Sequence, residues 1–172
     1  MSASVSQLAL PVSALDRLLG ELASIVGELP TEVYSSRFAA PHSGSIGEHV
    51  RHCLDHVSSL LLASDEQVLS YDHRQRGTAT EVDPREAVRQ MRQMQDALEC
   101  WAARSLDEPI RVASLVSAGG EAVVGWSTLG RELAFVLSHT IHHQAIIGLL
   151  LASCGYAVPN RFGHAPSTPR RH

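Results

Sequence analysis

The chain has 172 residues, 44% of them hydrophobic and 19% charged, which suits one globular domain and argues against a largely disordered chain. A net charge of -4 and only 5% aromatic residues give no global attraction to nucleic acid or anionic membrane, and few platforms for base stacking. All 14 basic residues are arginine, so Schiff-base chemistry and a P-loop lysine are excluded.

In chain order, Leu15, Leu18, Leu19, Leu22, Ile25, Val26 and Leu29 recur every three or four residues and predict an amphipathic helix over 11–29. Pro11 suits its first turn, and Gly27 with Pro30 suits its end. Residues 30–44 read as a connector. Ser45 with Glu48 three residues on predicts a capping box and a second helix to about Ser64, with Ile46, Val50, Leu54, Val57 and Leu61 as its apolar stripe. A polar loop follows over Tyr71–Thr78. Asp83-Pro84-Arg85-Glu86 announces a third helix, with a second capping box, to about Arg104. Residues 110–126 predict a β-hairpin around the Gly119-Gly120 turn. A fourth and most apolar helix is expected over about Thr128–Cys154, stopped by Gly155 and Pro159. Residues 160–172 read as a loop-like tail. The fold class is all-α: one domain, a four-helix bundle with a small β-hairpin between helices 3 and 4.

The N-terminus lacks a basic segment and Asp16 and Arg17 interrupt its apolar run, so no signal peptide is expected. No run reaches ~18 apolar residues, so no membrane span is expected either. Cys53, Cys100 and Cys154 form no CxxC pair and read as reduced core or half-buried residues of a cytoplasmic protein.

Histidine is the outlier, with 10 residues. His49, His52 and His56 fall on the second helix, and His139, His142 and His143 on the fourth. Four of their pairs are three or four apart, where random placement gives about one. At about 100° per residue His139 shares a face with Glu132, Phe135, Ile146 and Leu150, and His143 lies about 40° away. Imidazoles on an interior face are costly unless something binds them. A divalent metal satisfies that need, because neutral imidazole suits Zn, Ni, Fe and Cu, and an i, i+4 pair can reach one ion. A third ligand must then come from another helix.

The segments Ser45-Ile46-Gly47-Glu48-His49-Val50-Arg51-His52 and Ser138-His139-Thr140-Ile141-His142-His143-Gln144-Ala145 resemble the DinB-like family, and the order of all four helices extends the resemblance over nearly the whole chain. The resemblance implies an up-down-down-up four-helix bundle, often dimeric, in which a helix-two histidine joins an HxxxH pair on a later helix. Carried over by position, it implies His52, His139 and His143 as ligands of one divalent metal ion (Zn, Ni or Fe). His49 and His56 stand as alternatives to His52, and His142 as a competitor within the pair; otherwise all three are pocket or outer-sphere residues. Three protein ligands leave open positions, the layout of a catalytic site. Known members include thiol-dependent transferases and hydrolase-like proteins, and a related module of sulfoxide synthases binds iron. The implied function is a metal-dependent enzyme that activates water or a low-molecular-weight thiol against a small-molecule substrate, as a homodimer without nucleic-acid or membrane partners. A non-catalytic metal-binding or stress-response module, or a homodimeric interaction bundle, is the alternative.

Other residues carry weaker signals. Glu132 can serve as a general base, although a solvated or salt-bridged role is commoner. Asp55 can accept an imidazole N–H or pair with Arg51. Arg74 and Arg76, with Tyr71 and His73, can grip an anionic substrate or simply be solvated. Trp101, Trp126, Met91 and Met94 read as packing residues.

Overall fold

The computed structural model describes residues 9–38, 44–63, 67–73 and 75–169. The chain is mostly helical: α1 (Ala9–Gly27), α2 (Thr31–Ser35), α3 (Ile46–Leu61), α4 (Ala79–Val82), α5 (Pro84–Glu99) and α6 (Leu129–Ser153). Three short strands accompany them: β1 (Val68–Ser70), β2 (Pro109–Leu115) and β3 (Ala122–Thr128). A 3-10 turn, Cys100–Ala103, ends α5.

Four long helices supply the core. α1 and α3 each pack against both α5 and α6. Leu15, Leu19, Leu22 and Val26 of α1 meet Ala87, Met91 and Leu98 of α5 in one buried cluster with Val50, Leu54 and Val57 of α3 and Leu133, Val136 and Ile147 of α6. Each fully buried aliphatic side chain stabilises the fold by about 1.5–3 kcal/mol relative to exposure. By length and hydropathy alone α6 could cross a membrane; its contacts with α1 and α3 make it a core helix here.

The capping chemistry explains where the helices begin. The Glu48 N–H donates to Ser45 Oγ at 3.0 Å and the Ser45 N–H to Glu48 Oε2 at 2.8 Å, so the expected capping box forms. Asp83 caps α5 through the Arg85 N–H at 2.9 Å. The reciprocal half of that second box does not form, because Glu86 turns to Arg89 and Gln90 one turn further on. Thr128 caps α6 through the Arg131 N–H at 3.3 Å.

Two short helices break up segments that read as connector and loop. With five and four residues, α2 and α4 are too short to show a period. They are held by tertiary contacts: the Tyr34 hydroxyl donates to the Thr80 carbonyl at 2.7 Å, and α4 presses on the start of α3. A Cβ at Gly47 would lie 2.0 Å from the Glu81 carbonyl oxygen, so only glycine lets the two helices meet.

The expected hairpin is the larger part of a mixed sheet of order β1-β2-β3. β2 and β3 pair antiparallel, with Arg111 opposite Trp126, and β1 joins β2 in parallel, with Val68 opposite Arg111. A parallel neighbour needs a long crossover, which a local pattern does not reveal. Leu69 and Ile110 are buried and anchor the sheet to the helices. Strand alternation puts Trp126 on the other face, 76% exposed, so the packing role expected for it is not met, whereas Trp101 is in the core. Cys53 is buried, while Cys100 and Cys154 are exposed at the ends of α5 and α6, not half-buried. The tail is docked over its first part: Phe162 is buried, and Gly163, at φ 69°, sits so close to α6 that a Cβ would lie 2.3 Å from the Ala145 nitrogen.

Candidate metal centre

The α3–α6 seam holds the histidines. Ser45 starts α3 so that His49, His52 and His56 follow one another down the side that faces α6. His139 and His143 answer from α6. The His52 ring lies 4.8 Å from those of both His139 and His143. His56 stacks on His139 at 3.9 Å.

Within this cluster one triad is compact. His52, His56 and His139 place a nitrogen each within 4.8 Å of the other two. Bonded to one ion at ~2.1 Å, three nitrogens sit some 3–4 Å apart, so small side-chain adjustments suffice. His52 Nδ1 and His139 Nε2 are closed off from solvent. His56 Nδ1 lies 3.0 Å from the His52 carbonyl oxygen, which requires the proton on Nδ1 and leaves the Nε2 lone pair for a cation. The donor set fits a borderline divalent metal such as Zn, Ni or Fe.

The triad and the set carried over from the family share His52 and His139 and differ in the third member. His143 adjoins the triad, 4.5 Å from His139 between ring centroids, and its Nδ1 lies 3.0 Å from His49 Nδ1. One proton serves both of those nitrogens. Burial, then the neighbouring His139 and His49, pushes the His143 imidazole down to about 3, so it is neutral and ligand-competent at pH 7. His142 is exposed and touches the cluster only through His143, at 5.2 Å.

A second group, Tyr71 from the polar loop with Phe135 and Glu132 from α6, closes the far side. Tyr71 stacks on His56 at 5.0 Å and 7° and meets Phe135 at 5.1 Å. Its hydroxyl is pushed far above the usual phenol range by burial and then by the Glu132 carboxylate. Glu132 is 2% exposed and accepts from Ser127 Oγ at 2.6 Å and from Arg131 at 3.2 Å. It is therefore a buried carboxylate that is salt-bridged, one of the two ordinary roles expected of it, and not solvated. In the sequence Tyr71 reads only as part of the polar loop; the parallel pairing of β1 with β2 brings it to His56, which no local pattern signals.

On the near side His49, His52 and His143 line a pocket of about 660 Å³ together with Arg76. Arg74 lies outside the described residues. Arg51 is buried between two carboxylates: it pairs with Asp55, as its spacing suggested, and its Nε lies 2.7 Å from Glu81 Oε1, too far off line for a hydrogen bond. Asp55 and burial together push the Cys53 thiol up, burial first, to about 12, so it is no thiolate nucleophile.

These elements define a family. A model of the DinB superfamily matches residues 14–147, and the chain belongs to that superfamily, whose members generally bind metal. Among curated proteins the chain is similar to "FK506-binding protein 5" of Rhizopus delemar, 35% identical over 102 residues, which is 59% of this chain. The match spans 26% of that protein's length. No solved structure matches the chain significantly.

Proposed function

We propose that the imidazole cluster holds one divalent metal ion and that the chain is a metal-dependent enzyme of the hydrolase or thiol-transferase type. The observation that carries this reading is the convergence of His52 and His56 from α3 with His139 from α6, each offering one ring nitrogen. We also read the four long helices, neighbours in the order α1, α5, α3, α6, as the up-down-down-up bundle of the family.

A bound cation with open positions lowers the pKa of a water or thiol, and so supplies a nucleophile near neutral pH. The chain's own residues do the rest. His56 is held in one tautomer by the His52 carbonyl and in one plane by Tyr71. Phe135 covers His139 at 5.8 Å and keeps water from that side. The His49–His143 pair shares one proton between two facing Nδ1 atoms at the edge of the pocket, which fixes how both rings are turned.

Elemental analysis tests the reading. Purified protein reconstituted with Zn, Ni or Fe is expected to retain one ion per chain, and His139→Ala to lose it. No stoichiometric metal in the wild type, or equal retention in the variant, overturns the proposal. Turnover of electrophilic acceptors with a panel of small thiols, against water alone, then separates transferase from hydrolase.

A further inference from the structure

The pocket beside the imidazoles is walled by charge. Among its described lining residues the hydrocarbon side chains are missing: guanidinium, carboxylate and imidazole groups alternate with two glycines. Such a wall rejects apolar ligands, which cannot repay its desolvation.

The charges are not all paired. Arg37, Arg51 and Arg76 line the pocket with Glu48 and Glu81, and Asp55 stands behind Arg51 as a third carboxylate. Two of the three guanidiniums are already engaged. Arg37 is bonded to Glu48, and Arg51 is ion-paired with Asp55 and Glu81. Arg76 makes no ion pair among the described residues, and it sits at the exposed rim. Its backbone is nevertheless anchored, because the next N–H, that of Gly77, donates to Glu81 Oε2 at 3.0 Å, and Glu81 is itself pinned by Arg51. His49, His52 and His143 line the same pocket.

We propose that this pocket takes a small polar ligand bearing a carboxylate, that Arg76 grips the carboxylate, and that the ligand's other end lies against the imidazole wall. The inference rests on the metal reading only for what happens at that other end. A planar guanidinium matches a carboxylate with two parallel hydrogen bonds, and one unengaged guanidinium among paired carboxylates suits a monoanion better than a phosphate dianion. Arg76 is thereby a binding residue that selects the substrate.

The test is a nuclear magnetic resonance titration of the full, metal-free chain with glycolate, with uncharged glycolamide and with inorganic phosphate. Glycolate is expected to shift the Gly77 amide and the Arg76 Nε–H saturably, and glycolamide to bind about tenfold more weakly. Arg76→Ala should weaken glycolate about tenfold, leave glycolamide unchanged and keep the wild-type metal content. Arg76→Lys, which keeps the charge without the fork, should fall between. Equal affinity for glycolate and glycolamide, or no change in Arg76→Ala, overturns the proposal; tighter phosphate overturns the carboxylate assignment. Because the titration needs no metal, a chain that binds glycolate through Arg76 and holds no ion refutes the metal reading alone.

Discussion

Two seams of this molecule are built from the same kind of helix and do opposite work. Between α1 and α5 the facing residues are aliphatic, and the polar exception is Gln95, whose Nε2 donates to Asp16 Oδ1 at 2.8 Å at the edge. Between α3 and α6 the aliphatic residues of the core give way to imidazoles, with His56 5% and His143 8% exposed. The first seam gains from every buried methylene. The second gives up that gain over several turns, and imidazoles packed on one another recover little of it. Placing the sacrifice on one seam leaves the other to carry the fold.

That contrast can be broken experimentally. The largest effect is expected from Leu19→Ala in the aliphatic seam: a loss of about 2–5 kcal/mol in denaturant unfolding, with metal content per folded chain unchanged. If that variant lost metal in proportion to stability, the two seams would be one unit.

Within the imidazole seam, His56→Gln and His143→Gln separate the compact triad from the set carried over from the family. A lost ligand should weaken metal binding by more than the roughly 10–100-fold typical of an outer partner. The triad predicts the larger loss for His56→Gln, read by competition against a chelating dye; the reverse order would return His143 to the coordination sphere.

The smallest effects are expected at the start of α3, which aims the helix at α6. Ser45→Ala removes the cap and should cost about 1 kcal/mol. The same box is acid-sensitive. Burial alone would raise the Glu48 carboxyl, but the bonds it accepts from Arg37 and the Ser45 N–H outweigh this and hold it below the usual carboxylate range. Its folded value is the lower one, so its contribution is present above the unfolded value of about 4.3 and is lost as pH falls through the folded one. Glu48→Gln should flatten that acid limb in thermal melts recorded across it.

Much of the helical body was legible in the residues. The leucine period of α1, the Ser45–Glu48 box and Gly155, at φ 79°, placed the long helices to within a few residues, because these signals act over one or two turns of chain. The histidine spacing likewise marked two helix faces, since i, i+4 neighbours share a face whatever the fold. What local chemistry could not rank was His52 against His49 and His56. All lie on suitable faces, and the choice depends on how deep α3 sits against α6.

Primary structure alone therefore determined which helices exist and that two of them carry imidazole. Tertiary structure decided the partners: His56 onto His139, Tyr71 onto His56 through a parallel strand, Arg76 onto the pocket rim through Gly77 and Glu81. The reason is range. Caps and periodicity are set by residues a few positions apart, whereas each of these contacts depends on how whole elements stack.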